Sequence, residues 1–319
     1  MADTSTSLLS ESGTTPASAP AQAPPAQRAP ETFRRPPQHS GPVTALQFVQ
    51  RICAKSALPT AANLEDSVIA GDPTTAITGI ATTAIATLDC LRTAAASGRN
   101  LIVTLEPIFW ADEDNLDRME GNRQFQAKRD FIRSYNLVCF HLHGHWPASG
   151  PDGIALGMAK ELGWENNFAD PATPTRFKLP PTTLLSLARE LAAKLNSRTM
   201  RIVGDPSLPV ESVAAIWGNA PQMPALHLLN EPVDVVLTGY THEWEAVEYV
   251  QDMISAGRKK GMILLGEARS EQAGMKYCAE WLKTFISEVP IEFVPSVEPY
   301  WNLHHPDTEI AAEPPTANR

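Results

Sequence analysis

The sequence predicts an α/β protein made of two related α/β lobes around a central cleft. Three observations predict it. Short apolar, β-branched runs alternate with segments of helical period. One tripeptide, and the hydrophobic spacing that follows it, recurs 133 residues later. The apolar runs end on carboxylates and imidazoles, which is where the strand ends of an α/β sheet line a ligand cleft.

The elements follow in chain order. Residues 1–41 are a separate regime, with 25 of the 41 being Pro, Ala, Ser or Thr and Phe33 the one aromatic. Such a stretch buries too little apolar surface to offset its ordering entropy, so a disordered leader is expected there, and a flexible tail over 305–319. Between them, a helix over 84–97, closed by Gly98, leads to a strand over 101–105. A helix over 123–135 then leads to a strand over 137–141. Helices follow over 154–162 and 183–195, the latter with Leu184, Leu187, Leu191 and Leu195 on one stripe. Strands are expected over 200–203, 213–217, 233–237, 262–265 and 291–294, with helices over 243–256 and 275–286. The first lobe is expected to take 42–150 and 262–304, and the second 151–261.

The repeat organises this list. Gly71-Asp72-Pro73 is followed by Ile77, Ile80 and Ala81, and Gly204-Asp205-Pro206 by Val210, Val213 and Ala214 at identical offsets. The tripeptides themselves read as turns with Pro-fixed geometry rather than phosphate loops. After each copy the elements follow in the same order, with a short, poorly defined segment in the second half where the first half has the helix over 84–97, so duplication is the reading.

Composition excludes several classes. A net charge of −10, from 26 basic and 36 acidic residues, argues against a nucleic-acid partner, which needs a basic face. The longest uncharged apolar-leaning stretch, 73–88, falls short of the ~18 apolar residues of a spanning helix, so no membrane partner is expected. The four cysteines, Cys53, Cys90, Cys139 and Cys278, form no CxxC pair and read as reduced thiols of a cytoplasmic protein. No GxGxxG, P-loop, HExxH or GxSxG occurs.

The chemistry gathers after the strands. Glu106 follows the run at 101–105, where a carboxylate between apolar neighbours needs either an arginine or a metal. His141, His143 and His145 hold three of the eight histidines, and in an extended segment alternate side chains point the same way, toward one ion. Glu267 and Glu271 stand four apart, and share a face if their helix starts early. His242 and Glu243 read as a helix start, and Arg258-Lys259-Lys260 as solvated cations at a helix end. His304-His305 looks like a metal pair but falls where the chain turns polar and Pro-rich.

Together these segments resemble a known family: Gly71 to Ala81, Asn100 to Phe109, the cluster at 141–145, Pro151 to Ile154 ahead of Leu162-Gly163-Trp164, Gly239 to Glu245, Leu265 to Glu271, and Glu298-Pro299-Tyr300-Trp301. The family is the Nif-three-like dinuclear-metal hexamers, often labelled GTP cyclohydrolase I type 2 homologues. The resemblance implies divalent cations (zinc, manganese or iron, one or two per chain) held between the lobes, with Glu106, His141, His145, Glu267 and Glu271 as metal ligands. His143 is the expected catalytic general base. It also implies a homohexamer and hydrolysis of a small phosphorylated or nucleotide-like substrate. Two positions depart from the pattern: Leu105 stands where the family has its first His, and Glu267 replaces an imidazole. The alternative is a non-catalytic oligomeric scaffold or regulatory protein with a degenerate metal site, which Leu105 favours.

Overall fold

The computed structural model describes residues 41–56, 66–110, 113–148 and 152–303. The expected leader (all but Gly41), the tail and the His304-His305 pair lie outside the described residues. Among those described, ten strands form two five-stranded sheets within one compact unit. The first sheet takes β1 (Ser67–Ala70), β2 (Ile80–Thr83), β3 (Leu101–Thr104), β4 (Val138–His141) and, from far along the chain, β10 (Ile291–Phe293), in the order β1-β4-β3-β2-β10. The second takes β5 (Arg176–Thr183), β6 (Arg201–Val203), β7 (Pro209–Asn219), β8 (Val235–Tyr240) and β9 (Gly261–Leu264), in the order β5-β7-β8-β9-β6.

The predicted repeat is visible in the pairing. β2, β3 and β4 run parallel with β1 antiparallel on the β4 edge; β7, β8 and β9 run parallel with β6 antiparallel on the β9 edge. Ile80 registers with Leu101, and its repeat mate Val213 with Val235. Both tripeptides are turns. Thr75 N–H donates to the Asp72 carbonyl at 3.0 Å and Leu208 N–H to that of Asp205 at 2.9 Å. Gly71 (φ +91°) and Gly204 (φ +128°) lead into them, and a Cβ on Gly71 would stand 2.2 Å from the Leu137 carbonyl oxygen. Residues 262–264, expected with the first lobe, lie in β9 of the second sheet, and the chain returns to the first only at β10.

The central strands are apolar throughout because both their faces are covered. Leu101, Val103, Val235 and Leu237 face a common core shared by the two sheets, together with α1 (Ala45–Lys55), α5 (Gly153–Leu162), α6 (Leu184–Leu195) and α9 (Glu267–Lys283). Ile102 points the other way, under α2 (Leu88–Ala96) and α3 (Arg123–Ser134). Val236 does the same under α7 (Gln222–Asn230) and α8 (Glu248–Ser255). α9 is buried on several sides, including Ala268, Ala273, Met275, Cys278 and Leu282. At ~1.5–3 kcal/mol for each large apolar side chain fully buried, that face holds the helix between the sheets more firmly than its caps do. A tie across the molecule comes from Glu298, 3% exposed, which accepts the Arg198 and Thr199 N–H groups at 3.0 and 3.1 Å.

Several expectations are corrected. The helix expected from 84 starts at Leu88, because Thr87 caps it by accepting the Cys90 N–H at 3.2 Å. The helix expected over 243–256 begins as a π turn, Glu243–Val247, before α8. The helix expected from 275 starts eight residues earlier, at Glu267 after Gly266 (φ +88°). Lys260 is not solvated: it is buried, its ammonium donating to the Glu231 and Val233 carbonyls, and burial lowers its pKa. No helix among the described residues is long and apolar enough to cross a membrane.

Candidate metal centre

The carboxyl ends of the parallel strands of the two sheets deliver matching backbone geometry to one cleft. Thr104 Oγ1 donates to the Ala84 and Glu106 carbonyls at 3.2 and 3.1 Å. Thr238 Oγ1 donates to the Gly218 and Tyr240 carbonyls, both at 3.3 Å. These buried hydroxyls fix the chain beyond β3 and β8 in the same way, so Tyr240 is the repeat mate of Glu106. Leu105, between Thr104 and Glu106, turns into the common core at 2% exposure.

The start of α9 supplies the other two carboxylates. Starting at Glu267, the helix places Glu267 and Glu271 one turn apart on a single face. It can come close to β7 and β8 because two glycines clear the way. A Cβ on Gly218 would lie 2.0 Å from Glu271 Oε1, and one on Gly239 would lie 2.4 Å from Ser270 Oγ. Ser270 seals the junction, accepting the Gly218 N–H at 3.0 Å and donating to the Glu267 carbonyl at 2.8 Å.

Three carboxylates thus face one another with no basic side chain paired to them among the described residues. Burial, and then the Glu267 charge, push Glu106 up to about 7, with His143 pulling weakly the other way. Burial raises Glu267, and burial together with the Glu106 and Glu267 charges raises Glu271. The Tyr240 phenol is raised by burial and by the same three carboxylates. Glu271 Oε2 is buried without a hydrogen-bond partner. Among the described residues no arginine partners Glu106. Such a donor set fits a divalent cation, which removes both the mutual repulsion and the orphaned oxygen.

The histidines divide. β4 ends at His141, so the alternation needed to aim all three rings one way stops there. His141 is buried, and its ring centroid lies 5.5 Å from that of His143, which is exposed and sets Nδ1 3.3 Å from the Leu105 carbonyl. His145 opens the short helix α4 (His145–Ala148) and is hydrogen-bonded through Nδ1 to Asp66, not to the cleft carboxylates. Cys53, Asp66 and His145 each offer one ligand atom within 4.8 Å of the other two, a group that could hold a metal ion. The cleft carboxylates are not drawn together to that degree.

A cavity of about 660 Å³ opens beside Glu267, lined by Tyr240, Arg201, Arg269, Tyr300 and Trp301 among others. Arg201 is paired with Glu243, and Arg269 lies 3.6 Å from Glu298. Of these, Tyr240 went unseen in the sequence, although Thr104-x-Glu106 against Thr238-x-Tyr240 is a legible repeat pair.

The model of the family Duf34/NIF3 (NGG1p interacting factor 3) matches residues 46–299, a span that contains every strand described. The chain belongs to the Duf34/NIF3 family. Solved structures carry the same fold at low identity. A Bacillus cereus protein related to NIF3 superposes with a TM-score of 0.67 at 11% identity, over 83% of this chain and 100% of that one. Staphylococcus aureus protein SA1388 gives 0.63 at 14% identity, over 82% and 100%. Thermus thermophilus protein TTHA1606 gives 0.54 at 15%, over 80% and 98%. No curated protein matches this chain in sequence. What this Duf34/NIF3 chain shares with those structures is the fold, which does not carry an activity with it.

Proposed function

We propose that this Duf34/NIF3 chain binds a divalent cation in the inter-lobe cleft and acts as a metal-dependent hydrolase on a small phosphorylated or nucleotide-like substrate. The observation that carries the reading is the convergence of Glu106, Glu267 and Glu271 without a lysine or arginine partner among the described residues, one oxygen of Glu271 being buried and unbonded. Those three, with His141 on the neighbouring strand end, would hold the cation. Oxygen donors and imidazole suit manganese, iron or zinc. Leu105, sealed in the apolar core, supports one ion in this cleft rather than two.

When bound, a divalent cation supplies Lewis-acid polarisation of a phosphoryl or ring carbonyl group and acidifies water. The protein's own groups do the rest. His143 is exposed, and with Nδ1–H donated to the Leu105 carbonyl its Nε2 is free to accept a proton from water. Tyr240, Tyr300 and Trp301 offer faces for a planar ring, and Arg201 and Arg269 offer charge for an anionic group. A homohexamer is the assembly this reading includes, and the exposed Trp244 is apolar surface it would use.

Metal content tests the reading. Chelated protein reconstituted with manganese, iron or zinc should retain an ion that Glu106→Gln and Glu271→Gln each lose, as read by inductively coupled plasma mass spectrometry. Wild-type retention in both variants would overturn it. The scaffold reading is favoured by Leu105 alone; it requires that Leu105→His change neither metal count nor turnover on phosphoester substrates.

A further inference from the structure

Away from the carboxylate cleft, three chemically different donors meet at the edge of the first sheet. Cys53 lies in the last turn of α1, Asp66 immediately precedes β1, and His145 opens α4. Antiparallel pairing of Ser67 with His141 carries Asp66 past the end of β4, toward the segment that holds His145. There Asp66 Oδ1 accepts the Gly144 N–H at 2.6 Å, while Oδ2 accepts the His145 N–H at 3.0 Å and also bonds His145 Nδ1. The Asp66 and His145 side chains are 1% and 8% exposed.

Three features of this cluster ask for a cation. His145 Nε2 is buried without a hydrogen-bond partner. The carboxylate is buried with no lysine or arginine paired to it among the described residues. The half-buried Cys53 is a free cysteine, so its sulfur can serve as a soft donor. One ligand atom of each of the three lies within 4.8 Å of the other two.

We propose that Cys53, Asp66 and His145 form a site for a thiophilic divalent cation of the zinc class, separate from the cleft. A thiolate, a carboxylate and a neutral imidazole sum to two negative charges, so the loaded site is neutral, as a buried site must be. Binding forms a metal–sulfur bond and releases the thiol proton to solvent. The sulfur selects zinc or cobalt over magnesium and calcium, whereas the cleft offers no thiol. The Asp66 contacts to two backbone N–H groups hold the carboxylate in place, so the site is anchored before the cation arrives.

The test uses the full chain, stripped of metal and titrated with cobalt(II), then with zinc. A thiolate-to-cobalt charge-transfer absorption in the near ultraviolet should appear, plateau at an intensity of one thiolate-bound cobalt per chain and vanish on zinc addition. It should be lost in Cys53→Ser and persist in Glu271→Gln, so this site and the cleft can fail independently. Zinc should also protect Cys53 from alkylation in peptide mapping. If Cys53→Ser does not fold, His145→Gln should weaken zinc binding at least ~10-fold. Absence of the band in the wild type, its survival in Cys53→Ser, or unaltered zinc affinity in His145→Gln overturns the proposal.

Discussion

At the scale of single residues, the molecule's unusual investment is a set of carboxylates that prefer their protons. Glu106 titrates near 7 in the fold against 4.5 as an ordinary glutamate, and Glu271 is raised too. Between those values the folded, metal-free chain binds protons that the unfolded chain releases, so stability falls as pH rises through the window. Carboxylates held low by hydrogen bonds, such as Asp234 and Glu231, act below it, and buried Lys128, lowered to about 8, acts above it. The melting temperature of metal-free protein should therefore drop between about pH 5 and about pH 7, less steeply in Glu106→Gln, and saturating divalent cation should flatten the trend. A level profile in the metal-free wild type would contradict the electrostatics. The positions of Glu106 and Glu267 beyond strand ends were legible in the sequence because polar residues after apolar runs mark such ends, and Glu271 followed from its spacing of four from Glu267. The turning away of His145 was not, since its partners Asp66 and Cys53 lie 79 and 92 positions back and carry no local signal.

At the scale of elements, close approach depends on what is missing from the side chains. α5 crosses α9 where a Cβ on Gly157 would stand 2.5 Å from both the Ala273 carbonyl oxygen and the Gly274 Cα. Gly157→Ala gains up to ~1 kcal/mol of helix propensity but must push two backbones apart, at about 1–3 kcal/mol. Urea denaturation should show net destabilisation; an unchanged or raised midpoint would mean that the helices are not in contact there. The central strands were readable because both their faces are apolar. β5 was hidden by Pro180 and Pro181, which fall where its pairing with β7 is irregular, between Lys178 and Thr182, and which a regular central strand would not tolerate. β1 was hidden by its length of four residues, none of them fully buried. α1 had a readable start in Thr44 and Gln47, which cap each other's backbone.

At the scale of the whole molecule, the repeat gives two sheets of matching order that share one core, and their strand ends open toward a common cleft. The proposed homohexamer predicts a solution mass of six times the 34.7 kDa chain by size-exclusion chromatography with light scattering, and a monomeric mass would remove it. Duplication was legible from the offsets after each Gly-Asp-Pro. Which half completes first was not, because that depends on β10. On the ribosome, every strand of the second sheet exists once Leu264 has been added, while the free side of β2 waits for Ile291–Phe293. The half translated first is thus the last to be finished. Until the final strand emerges, a growing chain displays an unpaired row of peptide groups beside Ile80–Thr83, the kind of edge that chaperones shield and neighbouring nascent chains can capture.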